Sequence, residues 1–319
     1  MSQIKISVVI CTFNGYTRGF LGLALSSVYN QILQPTEVIL VDDGSTDKTT
    51  TFVSENYVNV KIITKSNAGL PAARNTGVGA AVGDWIAFLD DDDVWYPEKL
   101  QSQVFQFCST PDRNNVIFAS RIAIFSSESN TVKLAPPPLH LTKWPSCLIS
   151  TPVTAPSGVL ISRNLIETVG PFNENLAVGE DHEYWSRCIK LGAKVKYSKS
   201  VLLGYRNHPL QMTAGKKLLI NLIQADRAVN GLLSELTYEQ SNTIKWARCL
   251  KSYLSLLSKK KFEHANTYFR AARPNTFSGV FTAFIFIGVT LLSGVLPNVL
   301  SQFLLNRSLV KLSTGAPIS

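Results

Sequence analysis

Four aspartates stand in a row, Asp90 to Asp93, straight after the apolar run WIAFL and straight before Val94-Trp95-Tyr96-Pro97. Adjacent carboxylates repel one another. A hard divalent cation with oxygen ligands offsets that repulsion, and Mg2+ or Mn2+ is typically held by one or two carboxylates together with substrate phosphates. With few other ligands close by in the chain, the cluster suits an ion that arrives with a diphosphate. The structural alternative is a solvated acidic turn in which Asp93 caps a helix starting near Pro97. A second pair, Asp42-Asp43 in VDDGSTD, is followed by Gly44 for a turn and by Ser45 or Thr46 as a helix cap. Asp42 and Asp47 have ready roles as turn former and first-turn acid. Asp43 does not, and with Thr12, Phe13 and Asn14 it can form a base pocket: a ring to stack on and a carboxylate to accept an imide N–H. His208, in YRNHPLQMT, is a further candidate for the metal or the diphosphate, although a lone histidine after a strand is often structural.

These residues need a frame that gathers them. The runs ISVVIC (6–11), EVILVD (37–42), VKIIT (60–64) and WIAFLD (85–90) alternate with helix-like stretches. That rhythm predicts an α/β fold with a mostly parallel sheet and crossover helices, and the nearly continuous apolar strands predict cover on both sheet faces. Ligands of such sheets bind beyond the carboxyl ends of the strands, which is where the three polar clusters fall. Residues 126–157 are rich in Pro and Ser without clear period and read as a long loop or lid that sets specificity. Beyond them the pattern predicts a helix from 163, a second helix after GPFNENLAVG, a terminal hairpin over 195–208, and a mainly helical stretch over 215–270.

The ordered set VVICTFN, ILVDDGSTD, NAGLPAARNTG, GDWIAFLDDDDVWYPEKL and GEDHEYWSR, spread over roughly residues 4–210, resembles the family 2 glycosyltransferases of the GT-A fold. The resemblance implies inverting transfer of a sugar from a nucleotide diphosphate sugar, expected to be a UDP-sugar, to a saccharide or lipid-linked acceptor in cell-surface glycan synthesis. It implies that Asp43 and Thr12-Phe13-Asn14 hold the nucleobase and that Arg74 lies near the nucleotide. Asp90 and Asp91 would face ribose or metal, and Asp92 would be the principal ligand of Mg2+ or Mn2+. Two positions depart from the pattern: Cys11, where many members carry proline, and Asp91, where a small polar residue is commoner. In this setting Asp181 becomes the candidate general base. If a helix starts at Glu180, then Asp181, Trp185 and Cys188 share its inward face. A helix start favours an ionised Asp181 and burial against Trp185 opposes that. A sugar-phosphate nucleotidyltransferase remains an alternative, although TFNGYTRG is a poor triphosphate loop. So does a non-catalytic nucleotide-sugar-binding protein, which would not need Asp181.

Composition sets the broader limits. Of 319 residues, 45% are hydrophobic and 17% charged, which excludes disorder. Five scattered cysteines without CxxC spacing indicate neither a disulfide framework nor zinc. The start MSQIKISVVIC leaves no room for a secretory signal, so a cytoplasmic location is expected. Residues 1–209 hold 18 basic and 18 acidic side chains, whereas 210–319 hold 13 and 4, so the whole surplus of +9 is C-terminal. With no nucleic-acid motif present, an anionic membrane surface is the expected partner of that region. The expected organisation is a catalytic domain over 1–210 (donor half 1–120, acceptor half 121–210) and a helical region over 211–319. The latter includes an apolar segment, 275–306, within which residues 277–296 are long enough, at about 30 Å, to span a bilayer core. A membrane-embedded or interfacial hairpin at the cytoplasmic face is expected there, with a buried helical hairpin the alternative.

Overall fold

The computed structural model describes residues 4–126, 132–211, 218–258 and 261–274. The apolar runs form β1 (Ile6–Thr12), β2 (Glu37–Asp42), β3 (Val60–Thr64) and β4 (Trp85–Asp90), parallel and ordered β3-β2-β1-β4. Alternation along each strand divides their side chains between two cores. Ile6, Val8, Ile10, Ala87 and Leu89 face one cluster, and Val9, Cys11, Ile86 and Phe88 face the other. Helices cover both faces, as those two cores require: α1 (Gly15–Arg18), α2 (Leu21–Tyr29), α3 (Thr49–Asn56), α4 (Leu70–Ala80) and α5 (Lys99–Cys108) come from the first third of the chain. Gly77 lets α4 lie close to the sheet, since a Cβ there would come within 2.3 Å of a Val9 methyl. One turn earlier on the same helix stands Arg74.

Beyond β4 the sheet continues with β5 (Val94–Trp95), β6 (Val116–Ser126), β7 (Val132–Ala135), β8 (Leu160–Ser162) and β9 (Lys194–Asn207), in the spatial order β4-β8-β6-β9-β5, with β7 paired to β6. β8 runs antiparallel to both β4 and β6, while β6 and β9 are parallel. The carboxyl ends of β1 to β4, β6 and β9 therefore share one edge. Into that edge run Thr12, Asp42, Asp90 and, just past β9, His208.

Two segments differ from their expected form. Within 126–157, read as a long loop without elements, β7 forms a hairpin with β6, and two short 3-10 turns occupy 139–141 and 146–148. Residues 195–208, read as a hairpin, are one long strand: the polar run at Ser198 makes a bulge, its hydroxyl bonding the Arg121 N–H and the Ser200 carbonyl, so the chain bends without reversing. β6 itself, VIFASRIAIFS, had no place in the sequence reading.

The remaining helices are α6 (Arg163–Val169), α7 (Glu180–Lys190), α8 (Leu218–Ala228), α9 (Asn230–Leu233), α10 (Tyr238–Ser258) and α11 (Phe262–Ala272). A third core joins Leu141, Cys147, Leu148 and Ile149 with Ile189 of α7 and with Val229, Leu232, Ile244 and Trp246 of the C-terminal helices. Arg248 of α10 fastens the same junction, donating to the carbonyls of Leu148, Ala225 (3.0 Å) and Asp226 (2.7 Å). Among the described residues no helix is long and apolar enough to cross a membrane, and the apolar segment 275–306 lies outside them.

α8 rests on the start of α7. Gly179, which caps that start with φ 81° and ψ 13°, would place a Cβ 3.0 Å from both Ala225 Cα and Ala228 Cβ. Gly19 has nearly the same backbone angles, 77° and 8°, with nothing within 4 Å. Gly19→Ala is expected to cost only the backbone strain, roughly 1 kcal/mol. Gly179→Ala adds overpacking and is expected to cost about 2–4 kcal/mol. Urea unfolding of both variants measures the difference, and equal midpoints would show that α8 does not press on Gly179.

Candidate active site

Asp43 is held by the loop after β3. One carboxylate oxygen accepts from Lys65 Nζ and the Ala68 N–H, both at 3.0 Å, and the other from the Gly69 N–H at 2.7 Å. Three of its roughly four lone-pair positions are thus filled, leaving one for a ligand N–H. Gly44 permits the close approach, with φ 80° and a missing Cβ that would sit 2.8 Å from Asn67 N. Asn14, itself left-handed at φ 53°, ties the first two strand ends together: its N–H donates to Ser45 Oγ (2.8 Å) and its side-chain oxygen accepts from Thr46 N–H (2.8 Å). Phe13 beside it is 43% exposed, free to present its ring.

The four consecutive aspartates occupy four different environments. Asp91 is buried, accepting from Thr12 Oγ1 (2.5 Å) and from the Arg18 guanidinium. Burial pushes its pKa up to about 7 against the pull of Arg18 and Thr12. Gly15 makes this packing possible, since a Cβ there would meet Thr12 Oγ1 at 2.3 Å. Asp93 is buried too, accepting from Ser157 Oγ (2.6 Å) and the Arg206 N–H (2.9 Å). Burial, then the charges of Asp92 and Asp90, raise its pKa well above the carboxylate range. It does not cap α5, whose cap position is Glu98. Asp90 and Asp92 are the pair that meets solvent, with side chains 27% and 19% exposed. Asp92 lies 3.0 Å from His208 Nε2. His208 is buried, its ring 4.8 Å from Phe20, and its Nδ1 has no partner among the described residues. Arg206 steadies the turn, donating to the Asp92 carbonyl (2.8 Å) with its guanidinium between Phe20 and Phe125. Among the described residues no group of three or more His, Cys, Asp or Glu is placed to hold a metal ion.

Arg74 joins this edge to α7. Only 2% exposed, it donates to Asp90 (3.0 Å) and to Glu180 (2.7 Å) and lies 5.6 Å from the Phe172 ring. Burial acts to lower its pKa, and the two carboxylates outweigh burial, so the guanidinium stays charged. The next residue after Glu180 is Asp181. It is half-buried, and among the described residues its one hydrogen-bond partner is the His182 N–H at 2.7 Å. Burial and then the Glu180 charge push its pKa up to about 7, against the Arg74 charge. The competition between helix start and burial is thus won by burial. Trp185 and Cys188 on the same face are wholly buried, Trp185 against Phe88, Phe172 and Tyr184.

The structure therefore brings together Thr12 with Asp91, Arg74 with Asp90, and Asp92 with His208. It adds Arg18, Lys65, Ser157, Glu180 and Arg206 as partners. Arg18 and Lys65 follow strand ends in sequence, so the sheet topology points to them. Ser157 and Arg206 meet Asp93 only through long-range packing, and no local pattern marks them.

A sheet of this order, with an acidic cluster at its carboxyl edge and a carboxyl at the start of a facing helix, defines the GT-A class of glycosyltransferase. Among solved structures, an S. aureus TarS fragment (1-349) in complex with UDP-GlcNAc matches with a TM-score of 0.58 at 16% identity, over 99% of this chain and 93% of that one. The same fragment in complex with UDP gives 0.54 at 18%, over 84% and 91%. The family model for glycosyl transferase family 2 matches residues 7–170, and the chain belongs to that family. An uncharacterized glycosyltransferase of Rickettsia typhi is 26% identical over 246 residues, 75% of each chain, and one of Haemophilus influenzae is 26% identical over 221 residues, 66% of this chain and 67% of the relative. The protein is a glycosyltransferase, which sets the nucleotidyltransferase and binding-protein alternatives aside.

A carboxyl whose pKa is higher folded than unfolded holds its proton more tightly in the folded state, so the stability it contributes is lost as pH rises. For Asp181 the window runs from the ordinary 3.8 to about 7. Asp181→Asn, which cannot ionise, is expected to gain stability relative to wild type as pH rises from about 4 to about 8. Urea midpoints of the two proteins across that range test this. A constant difference would return Asp181 to an ordinary carboxylate pKa.

Proposed function

We propose that the chain is an inverting transferase that moves a sugar from a nucleotide diphosphate sugar, a UDP-sugar, to a hydroxyl of a saccharide or lipid-linked acceptor. The observation that carries the mechanism is the half-buried Asp181 carboxyl, poised near neutrality and linked through Glu180 and Arg74 to the half-buried, solvent-facing Asp90. A general base works best with a pKa close to the working pH. Asp181 takes the proton of the acceptor hydroxyl as that oxygen bonds to the anomeric carbon. The bond from that carbon to the diphosphate oxygen breaks on the opposite face, which inverts the configuration. The TarS complexes support UDP as the nucleotide carrier. In this reading Phe13, 43% exposed, stacks on the base and the open lone pair of Asp43 accepts its imide N–H.

Asp90 and Asp92 are the two solvent-facing carboxylates of the cluster, with His208 Nε2 beside Asp92, and one or both carboxylates would hold Mg2+ or Mn2+ together with the oxygens of a bound diphosphate. Such an ion, when bound, neutralises the charge of the diphosphate beside those carboxylates. Asp91 and Asp93, buried and fully engaged, position the turn that carries Asp92. Residues 1–210 would carry the chemistry and the helices from 211 would brace its acceptor side. The function belongs on the cytoplasmic side of a membrane, where nucleotide sugars are available and the basic C-terminal region meets anionic lipid, in cell-surface glycan synthesis.

Asp181→Asn is expected to keep donor binding and lower transfer at saturating substrates by at least ~10²-fold, the scale of a lost general base. Transfer within about threefold of wild type would move the base elsewhere, Glu180 being next to it. Asp92→Ala is expected to abolish the metal-dependent part of UDP binding in calorimetry, because a diphosphate without its cation faces bare carboxylates. Unchanged affinity in the presence of Mn2+ would remove Asp92 from the ligand set.

A further inference from the structure

Between α8, α10 and the end of α11 lies a cleft of about 390 Å³ that the transfer chemistry does not use. Its wall carries Arg227, Lys245, Arg248 and Arg273 against a single acid, Asp226. That acid is already engaged: it pairs with Arg248 at 2.8 Å and accepts from the Tyr268 hydroxyl at 2.5 Å. Arg248 also donates to the backbone carbonyls of Leu148, Ala225 and Asp226. The side chains of Arg227, Lys245 and Arg273 make no hydrogen bond or ion pair with any described residue. Three cations thus share one concavity with no ion-pair partner among the described residues.

A second observation is independent of charge. Asn242, only 6% exposed, forms part of the cleft wall, and its side-chain amide nitrogen is buried with no hydrogen-bond partner among the described residues. A buried donor left unmade is costly, so its persistence beside uncompensated cations marks a place for an acceptor. The ligand these features fit is compact, anionic and rich in acceptor oxygens. A phosphate group meets all three needs, and guanidinium groups bind it with two parallel hydrogen bonds. The volume lies in the range of small-ligand sites.

We propose that this cleft binds a phosphate group, with the headgroup of an anionic lipid as its source. The sequence favours the lipid, because Pro274 in the cleft wall opens a run of 33 residues, 274–306, without a charged side chain. The basic cleft therefore stands where the chain turns from charged to apolar, the pattern of a protein meeting a membrane surface. The site does not depend on the transfer mechanism.

The test uses the full-length protein in two arms at fixed ionic strength. Calorimetry with inorganic phosphate measures the site itself, and flotation with phosphatidylcholine vesicles, with or without phosphatidylglycerol, measures the source. Arg227→Gln/Lys245→Gln, which alters two exposed side chains, and Asn242→Asp, which sets a carboxylate in the cleft, are each expected to weaken phosphate binding about tenfold or more and to abolish phosphatidylglycerol-dependent flotation. Lys194→Gln/Lys199→Gln removes the same charge at β9 and is expected to leave both unchanged. Circular dichroism checks that Asn242→Asp folds; if it does not, the surface pair decides. Phosphate binding without flotation would keep the site and overturn the lipid source in favour of a soluble phosphate ester. The proposal fails if neither ligand is bound, or if the β9 pair loses as much binding as the cleft pair.

Discussion

A guanidinium sealed from solvent governs this architecture. Arg74 is among the largest wholly buried side chains of the protein and carries a full charge at the level of the sheet edge. A buried cation is tolerable only when anions surround it, and removing one partner of such a pair leaves the other charge stranded. Asp90 therefore has to end β4 at that height and Glu180 has to begin α7 opposite it. Gly77 brings α4 close enough to the sheet for the arginine to reach both. One ion triad thus fixes the separation between the strand end that carries the acidic cluster and the helix that carries Asp181.

The same low-dielectric surroundings divide labour among like residues. Four aspartates adjacent in sequence differ because the turn after β4, closed by the Asp93 N–H on the Asp90 carbonyl (3.2 Å), sends two of them inward, where hydroxyls, a guanidinium and a backbone N–H hold them, and two toward solvent. Burial then raises the pKa of the inward pair and of Asp181. Proximity in the chain says little about ionisation here; the direction in which each side chain leaves the backbone says most.

The first four strands were legible from sequence because a strand covered on both faces has to be apolar throughout, and runs such as EVILVD and WIAFLD admit few other fates. The gathering of Thr12, Asp43 and Asp90 on one edge followed from parallel strands alone. The start of α7 was legible as well, since Gly179 and the acids after it mark a helix beginning. What escaped detection were β6 and the unbroken course of β9, whose pairing is set by a bulge at Ser198 and by partners some eighty residues away. Ser157 and Arg206 escaped for the same reason, as their significance lies in reaching Asp93 across the sheet. The C-terminal helices read as helical from composition, yet nothing local announced that Arg248 would fasten α8 to the loop at Leu148.

The third core carries a consequence for how such an enzyme can be divided or recombined. Leu141, Cys147, Leu148, Ile149 and Ile189 all precede residue 210, and they are covered by Val229, Leu232, Ile244 and Trp246, which follow it. Severing the chain at residue 210 would strip an oily seam bare, and apolar surface of that kind drives self-association. Exchange of loops between members of the family is constrained in the same way: a transplanted 139–150 segment needs its own matching helices, so that segment and the C-terminal helices are bound to travel as one inheritable unit.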